Sequence, residues 1–448
     1  MRRGDSAGVR IRGHDRIHLF HAIGSRHRIL WNVPRIRHDG DRLARLGYSA
    51  PSPKRRRKSP ADMRSGMDSL YIAVPALLLF LWFLAAWFSV RRVRSLSASR
   101  RPRWRSAAEG LVLSLALLPL GAVAANGVYN VVAIQRFLST NPPSGKLYPV
   151  NDRSMHLYCI GIGQPTIILE PGLGPATDVL SWNSLQPRLA ATTRVCSYDR
   201  AGLGWSAPRT GPADADRIAT DLHALLKTAG VGGPLVLIGA SYGGIYIRDY
   251  TAHYRADVAG LVFIDSSTPF QEERFHAQGG TAGEPNPARR MAILHTEFLL
   301  GIPRLAGWCG RPVPGEEIRA ARALGEDACI AHYEGVREFL SMAQSSRETV
   351  HAGPFGDLPI LIFSHDPSSV LSMRNPPRQW VAREQLWNAM QEELKQLSTR
   401  GRRIVARASG HGVHVDREDL VVREVALFVD RIRGKSPQPT NYGSTTVE

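Results

Sequence analysis

From Lys146 onward, short apolar runs recur at Thr166–Leu169, Arg194–Tyr198, Leu235–Ile238, Gly260–Ile264, Ile360–Phe363 and Arg403–Ala406. They are brief, rich in Val, Ile and Leu, and continuous rather than alternating. That pattern predicts strands buried on both faces of a parallel sheet. Lys146–Val150 and Ser154–Ile160 flank Asn151-Asp152-Arg153, and Met155, Leu157 and Cys159 alternate along the second segment, so this pair predicts a hairpin. Helical spacing fills the intervals, as in Ile218, Leu222, Leu225 and Leu226, closed by Gly230. Alternating strands and helices predict an α/β domain over residues 145–433. Residues 266–357 are too long for a simple crossover. Mostly helical in pattern, they predict a lid over the carboxyl edge of the sheet, where open α/β sheets bind ligands. Residues 434–448 are polar and are expected to be disordered.

Upstream the pattern changes to long apolar blocks. Ser69 to Val90 is free of charge, rich in Leu, Phe and Trp, and long enough to cross a bilayer. A second uncharged stretch, Gly110 to Gln135, is most apolar at Leu111–Ala125 and is interrupted by Pro119, Asn126 and Asn130. It reads as a second span over about residues 110–134, or as an export signal cleaved near Ala122-Val123-Ala124. Residues 67–136 are therefore expected to form a membrane region.

Charge sharpens this division. Residues 1–139 hold 25 Lys and Arg against 7 Asp and Glu, whereas residues 140–448 hold 32 of each, so the net +18 belongs wholly to the N-terminal third. A basic chain suggests nucleic acid as partner. Here the charge flanks apolar segments, so the lipid bilayer is the expected partner and no nucleic acid is. Arg91, Arg92, Arg94, Arg100, Arg101, Arg103 and Arg105 lie between the two apolar stretches. The positive-inside rule keeps that loop cytoplasmic and places everything after about residue 136 outside. Residues 1–66 compete with this, since Lys54, Arg55, Arg56, Arg57, Lys58 and Arg64 nearly balance the loop. This segment shows no sustained hydrophobic period. It reads as translated upstream sequence with the start at Met63 or Met67, or as a disordered basic arm that binds lipid or nucleic acid.

Gly239-Ala240-Ser241-Tyr242-Gly243 follows the run Leu235–Ile238 and precedes a helical stretch from Ile245 to Tyr254. A serine between two glycines, in a strand–turn–helix setting, is the pattern of a nucleophile elbow. The sharp turn lifts the hydroxyl clear of the sheet, and the helix start offers N–H groups to an oxyanion. No C-x-x-C, H-E-x-x-H or full G-x-x-x-x-G-K-[ST] is present, so neither zinc nor P-loop chemistry is suggested. No metal or cofactor is expected.

With the elbow, several ordered motifs over roughly residues 145–433 resemble the α/β-hydrolase family. Pro171-Gly172-Leu173-Gly174 stands where the family has its oxyanion loop, with Pro171 in place of the usual His. Tyr198-Asp199-Arg200-Ala201-Gly202-Leu203-Gly204-Trp205-Ser206 is similar to the family's D-x-R-G-x-G-x-S loop, and Gly410-His411 follows the last predicted strand. The resemblance implies a mostly parallel eight-stranded sheet with helices on both faces, preceded here by one or two transmembrane helices. It also implies that the strands of Cys159 and Cys196 lie side by side, so a disulfide between them is feasible. Cys309 and Cys329, close in sequence, are a second candidate pair, and four buried thiols are the alternative.

Acyl transfer needs a nucleophile, a base, an orienting acid and oxyanion donors. Ser241 is the expected nucleophile and His411 the expected base. His414, three residues on, is read as structural. The acid is Asp265, at the end of one strand, with Asp366 after the next as the alternative. Asp366 falls about two residues early against the usual family pattern, and Ser368 stands where the carboxylate is expected. The backbone N–H groups of Leu173 and Tyr242 are the expected oxyanion donors. The resulting expectation is a membrane-anchored serine hydrolase acting on a small-molecule ester, amide or related acyl bond. A non-catalytic binding protein on the same fold is the alternative. Nothing in the lid names the substrate; Arg289, Arg290 and Arg304 read as solvated arginines.

Overall fold

The computed structural model describes residues 69–97, 103–173, 179–209, 211–277, 287–307, 309, 334–440 and 442–448. The basic segment 1–66, both candidate start methionines, Arg100, Arg101, Gly174 and Cys329 lie outside the described residues.

Among the described residues, nine strands form one sheet: β1 (Lys146–Val150), β2 (Arg153–Ile160), β3 (Thr166–Glu170), β4 (Val195–Tyr198), β5 (Leu235–Ala240), β6 (Val258–Ile264), β7 (Ile360–Ser364), β8 (Gly401–Val405) and β9 (Thr445–Val447). Their spatial order is β1-β2-β4-β3-β5-β6-β7-β8-β9. The hairpin β1–β2 and its junction with β4 are antiparallel, and the remaining pairs are parallel.

The apolar continuity of the central strands has a direct cause. Ile167, Leu169, Val236, Ile238, Val262 and Phe363 enter one buried cluster, which is closed by Leu420, Val421, Val425 and Phe428 of the helix Glu418–Ile432. Ile168, Leu237, Phe263 and Ile362 point to the other face, under Leu222, Leu225 and Leu226 of the helix Ala215–Thr228. Successive strand residues alternate sides, so both alternating sets must be apolar.

The sheet corrects two expectations. It has nine strands rather than eight, and the extra one comes from the tail expected to be disordered. Thr445, Thr446 and Val447 pair in parallel with Arg403, Ile404 and Val405 along the edge of β8. The C-terminus is further held by hydrogen bonds from Arg417 Nη1 to the Glu448 carbonyl (3.0 Å) and by an ion pair between Arg423 and Glu448. Three β-branched residues suffice to extend an existing edge, although they are too few to make a sequence signal alone.

Cys159 and Cys196 face each other across β2 and β4 and are joined by a disulfide, with Cα atoms 4.0 Å apart. Cys309 is disulfide-bonded as well. Closing the 37-residue loop between Cys159 and Cys196 is worth about 4 kcal/mol by chain entropy. The double variant Cys159→Ser, Cys196→Ser is therefore expected to melt roughly 5–12 °C below the parent in a thermal scan. An unchanged melting temperature would show that the bridge contributes nothing to stability.

Ahead of the sheet, α1 (Ser69–Ser97) and α2 (Arg103–Thr140) form an antiparallel hairpin. Both are long and apolar enough to cross a membrane. Over their uncharged stretches they expose apolar side chains: Leu77, Phe80, Phe83, Leu111, Leu115 and Leu118 are all more than half exposed. A helix that shows such a surface to its surroundings suits lipid rather than water. Pro119 does not break α2, which runs through it. Gly121 lies flat against Trp82, where an added Cβ would sit 2.3 Å from the indole, and Trp82 Nε1 donates to the Leu117 carbonyl at 2.6 Å.

Candidate active site

The site is assembled at the carboxyl ends of β3, β5, β6, β7 and β8. Ser241 follows β5 with φ of +51°, the left-handed region that non-glycine residues occupy at a cost of roughly 1–3 kcal/mol. Tight packing holds it there. An added Cβ on Gly243 would lie 2.4 Å from the Glu170 carbonyl oxygen, and one on Gly239 would lie 2.6 Å from the Gly243 oxygen. The helix Gly243–His253 begins immediately afterwards, and Tyr242 leads into it. The loop after β3 passes beside the serine: a Cβ on Gly172 would sit 3.0 Å from Ser241 Cβ. Leu173 is partly buried against Tyr242 in the same cluster.

His411, after β8, has Nε2 at 2.9 Å from Ser241 Oγ and Nδ1 at 2.6 Å from Asp265 Oδ2. With Nδ1–H donating to the carboxylate, Nε2 is left to accept the serine proton. Asp265 directly follows β6, is fully buried and has φ of +44°. Its Oδ1 accepts from Trp387 Nε1 at 2.9 Å and from the His365 backbone N–H at 3.1 Å, and both of its oxygens lie 2.9 Å from His365 Nδ1. Burial alone would raise its pKa, but the hydrogen bonds from His365 and His411 outweigh burial and hold the carboxyl well below the usual carboxylate range.

Asp366 is placed differently. Its oxygens accept from the backbone N–H groups of Ser368 and Ala408, each at 2.9 Å, so it ties the turn after β7 to the loop after β8. Burial opposes its ionisation, but the Ala408 and Ser368 hydrogen bonds together outweigh burial and lower its pKa. Among the described residues none of its hydrogen bonds reaches His411. His414 is half-buried against Trp182, with ring centroids 5.0 Å apart, and desolvation pushes its pKa down to about 4.

Sequence reasoning missed the residues behind Asp265. His365 Nε2 lies 2.7 Å from Glu384 Oε1. Burial would lower the His365 pKa, but Asp265 and Glu384 together raise it to about 10. At neutral pH a charged His365 therefore sits between the carboxyl groups of Glu384 and Asp265. Glu384, Trp387 and Gln391 share one face of the helix Arg378–Glu393, and Gln391 Nε2 donates to the Ser266 carbonyl at 2.7 Å. No local pattern in the sequence marks them.

A second network lies under the loop after β3. Arg200, fully buried, donates to Glu170 at 2.8 Å and to the Pro171 and Gly172 carbonyls at 2.9 and 2.7 Å. It also binds both oxygens of Glu338, each at 2.8 Å, on the helical segment 334–340. This is the physical work of the Asp199-Arg200 motif: one guanidinium clamps the loop beside Ser241 to the lid.

Residues 167–424 match the sequence model of the alpha/beta hydrolase family. An AB hydrolase superfamily protein of Gibberella zeae is 25% identical over 291 residues, covering 60% of this chain and 88% of that protein. A protein of Hormonema carpetanum named "Probable transporter efuK" is 37% identical over 116 residues, 25% of this chain. The chain spans 16% of that protein's length and 28% of a Schizosaccharomyces pombe relative's. Among solved structures, an esterase from Exiguobacterium antarcticum has 17% identity and a TM-score of 0.45, covering 64% of this chain and 99% of that one. A bromoperoxidase from Bacillus anthracis has 17% identity and a TM-score of 0.44, over 64% and 100%. The match to the family model takes in more than half of the chain and all of β4 to β8 together with the strand ends that carry Ser241, Asp265 and His411, so the chain belongs to the alpha/beta hydrolase family.

Proposed function

We propose that this chain is a membrane-anchored serine hydrolase that cleaves an ester, amide or related acyl bond through an acyl-enzyme. The observation that carries the reading is His411 bridging Ser241 Oγ at 2.9 Å and Asp265 Oδ2 at 2.6 Å. His411 takes the serine proton as Oγ attacks the acyl carbon. The imidazolium so formed is stabilised by Asp265, which stays ionised because its donors already compensate its burial. The backbone N–H groups of Tyr242 and Leu173 receive the developing oxyanion. Collapse of the tetrahedral intermediate expels the leaving group, which carries the proton from His411 away. Water, deprotonated by the same histidine, then releases the acid and frees Ser241. No observation favours the non-catalytic reading. Labelling of the purified chain with a fluorophosphonate probe, followed by turnover of an ester series of increasing acyl length, tests the proposal. Absence of both labelling and turnover in the folded protein would count against it.

The bilayer is the proposed partner, with the hydrolase domain on the outer side. The arginines between the two apolar stretches, at the facing ends of α1 and α2, and the charge-neutral domain beyond support this orientation. An alkaline phosphatase fused to the C-terminus is expected to be active, and a reporter that fluoresces only in the cytoplasm is expected to stay dark. The reverse pattern would invert the topology and would also be at odds with the Cys159–Cys196 disulfide.

A further inference from the structure

The lid does not float above the sheet: its middle is bolted to α2. Asn126 Nδ2 donates to the carbonyls of Leu300 (2.6 Å) and Gly301 (2.9 Å), and Arg304 Nε donates to Asn130 Oδ1 at 2.9 Å. The contact is close enough to demand glycine on both sides. A Cβ on Gly127 would lie 2.8 Å from the Leu299 carbonyl oxygen, and one on Gly301 would lie 2.7 Å from Asn126 Nδ2. Asn126 and Asn130 therefore do not interrupt the apolar stretch. They satisfy lid backbone that lipid could not. Arg304 is likewise not a solvated arginine, since Asn130 and the ring of Tyr129, 5.8 Å away, engage it.

The depth of this contact follows from the register of the helix hairpin. Gly127 packs on Pro75, Gly121 on Trp82 and Gly110 on Val93. The uncharged stretch Ser69–Val90 thus lies alongside roughly residues 113–134 of α2. Asn126 and Asn130 sit about 6–12 Å inside the outer end of that slab, at 1.5 Å of rise per residue. The lid helix that makes this contact, Ile302–Leu305, exposes Leu305 (62%) and Ile302, and α2 exposes Tyr129 and Val132 on either side of Asn130. An apolar edge continuous with a spanning helix, flanked by Tyr129 and Arg304 as interfacial anchors, fits acyl chains rather than water.

The lid also reaches the reaction centre at both ends. Phe275 of its first helix, Gln271–Ala277, stacks on Trp387, which lies edge-on to His411. The carbonyl of Met342, near its close, accepts from Tyr242 Oη at 3.1 Å. We propose that residues 298–307 are seated in one leaflet of the bilayer and that the site takes acyl lipid from that leaflet. The substrate part of this inference rests on the serine-hydrolase reading; the placement does not.

Two measurements on the full chain, reconstituted in phosphatidylcholine vesicles, separate these parts. An environment-sensitive fluorophore on Leu305→Cys is expected to be quenched by bromine-labelled lipid and shielded from iodide in the water. Quenching by iodide and not by bromolipid overturns the placement. In parallel, Leu305→Asp is expected to lower hydrolysis of a long-chain ester dissolved in the vesicles at least tenfold. Turnover of a water-soluble butyrate ester should stay within about twofold. Equal loss on both esters, or loss on neither, overturns the leaflet-substrate proposal. A lipid-seated Leu305 in a chain that turns over no ester at all would instead remove the hydrolase reading and leave the placement standing.

Discussion

Ser241→Ala is expected to abolish fluorophosphonate labelling and to lower ester turnover by roughly four to six orders of magnitude. The size follows from the geometry. Ser241 is held at φ of +51° by a turn in which Gly239 and Gly243 leave no space for side chains, and its Oγ is already 2.9 Å from His411 Nε2. Such a position is costly to maintain and serves no packing purpose, since the side chain points at a histidine rather than into a core. Removing the hydroxyl leaves a methyl group in the same backbone conformation, so the fold should survive. Thermal unfolding of the variant within a few degrees of the parent would establish that. Labelling that persists at another serine, or a loss of only a few-fold in kcat, would sink the assignment.

How far the site could be read in the chain depends on how local each part is. Ser241 and His411 are marked by their neighbours, because a sharp turn and a tight loop at a strand end both require small residues around them. Asp265 was accessible through its place at a strand end. The strands were legible because burial on both faces forces apolar continuity, yet their carboxyl ends were not. Glu170, Gly239 and Ser364 continue β3, β5 and β7 with residues that break the apolar pattern, and those ends are where the site is built. His365, Glu384 and Trp387 carry no local mark. They meet only because the helix Arg378–Glu393 folds back over the end of β7, a tertiary event that short-range spacing does not encode. The docking of Asn126 on Leu300 spans 174 residues, so in sequence the asparagines look like flaws in a membrane span. β9 was hidden for a different reason: an edge strand of three residues gains its stability from β8 and almost none from itself.

Asp265→Asn is expected to reduce kcat by roughly four orders of magnitude, and Asp366→Asn by less than about tenfold. Sequence position alone leaves both aspartates eligible, and their contacts separate them. Asp265 Oδ2 lies 2.6 Å from His411 Nδ1, whereas Asp366 is occupied by the N–H groups of Ser368 and Ala408. An amide at position 265 would turn an N–H toward His411 or His365 and favour the wrong imidazole tautomer. Asp265 also has a structural duty, because it shares His365 with Glu384. The His365 pKa is raised to about 10, so the stabilisation from its charged form is complete below its unfolded value near 6.5 and is lost as pH rises through about 10. Asp265→Asn should therefore flatten the fall in parent stability between about pH 6.5 and 10, an effect that a purely catalytic role would not produce. Denaturant midpoints measured across that range distinguish the two contributions, and kcat should be taken below pH 8, where the fold of both variants can be verified. An inactive but folded Asp366→Asn, beside an active Asp265→Asn, would transfer the orienting role to the turn after β7 and require a lid and loop arrangement in which Asp366 swings to His411.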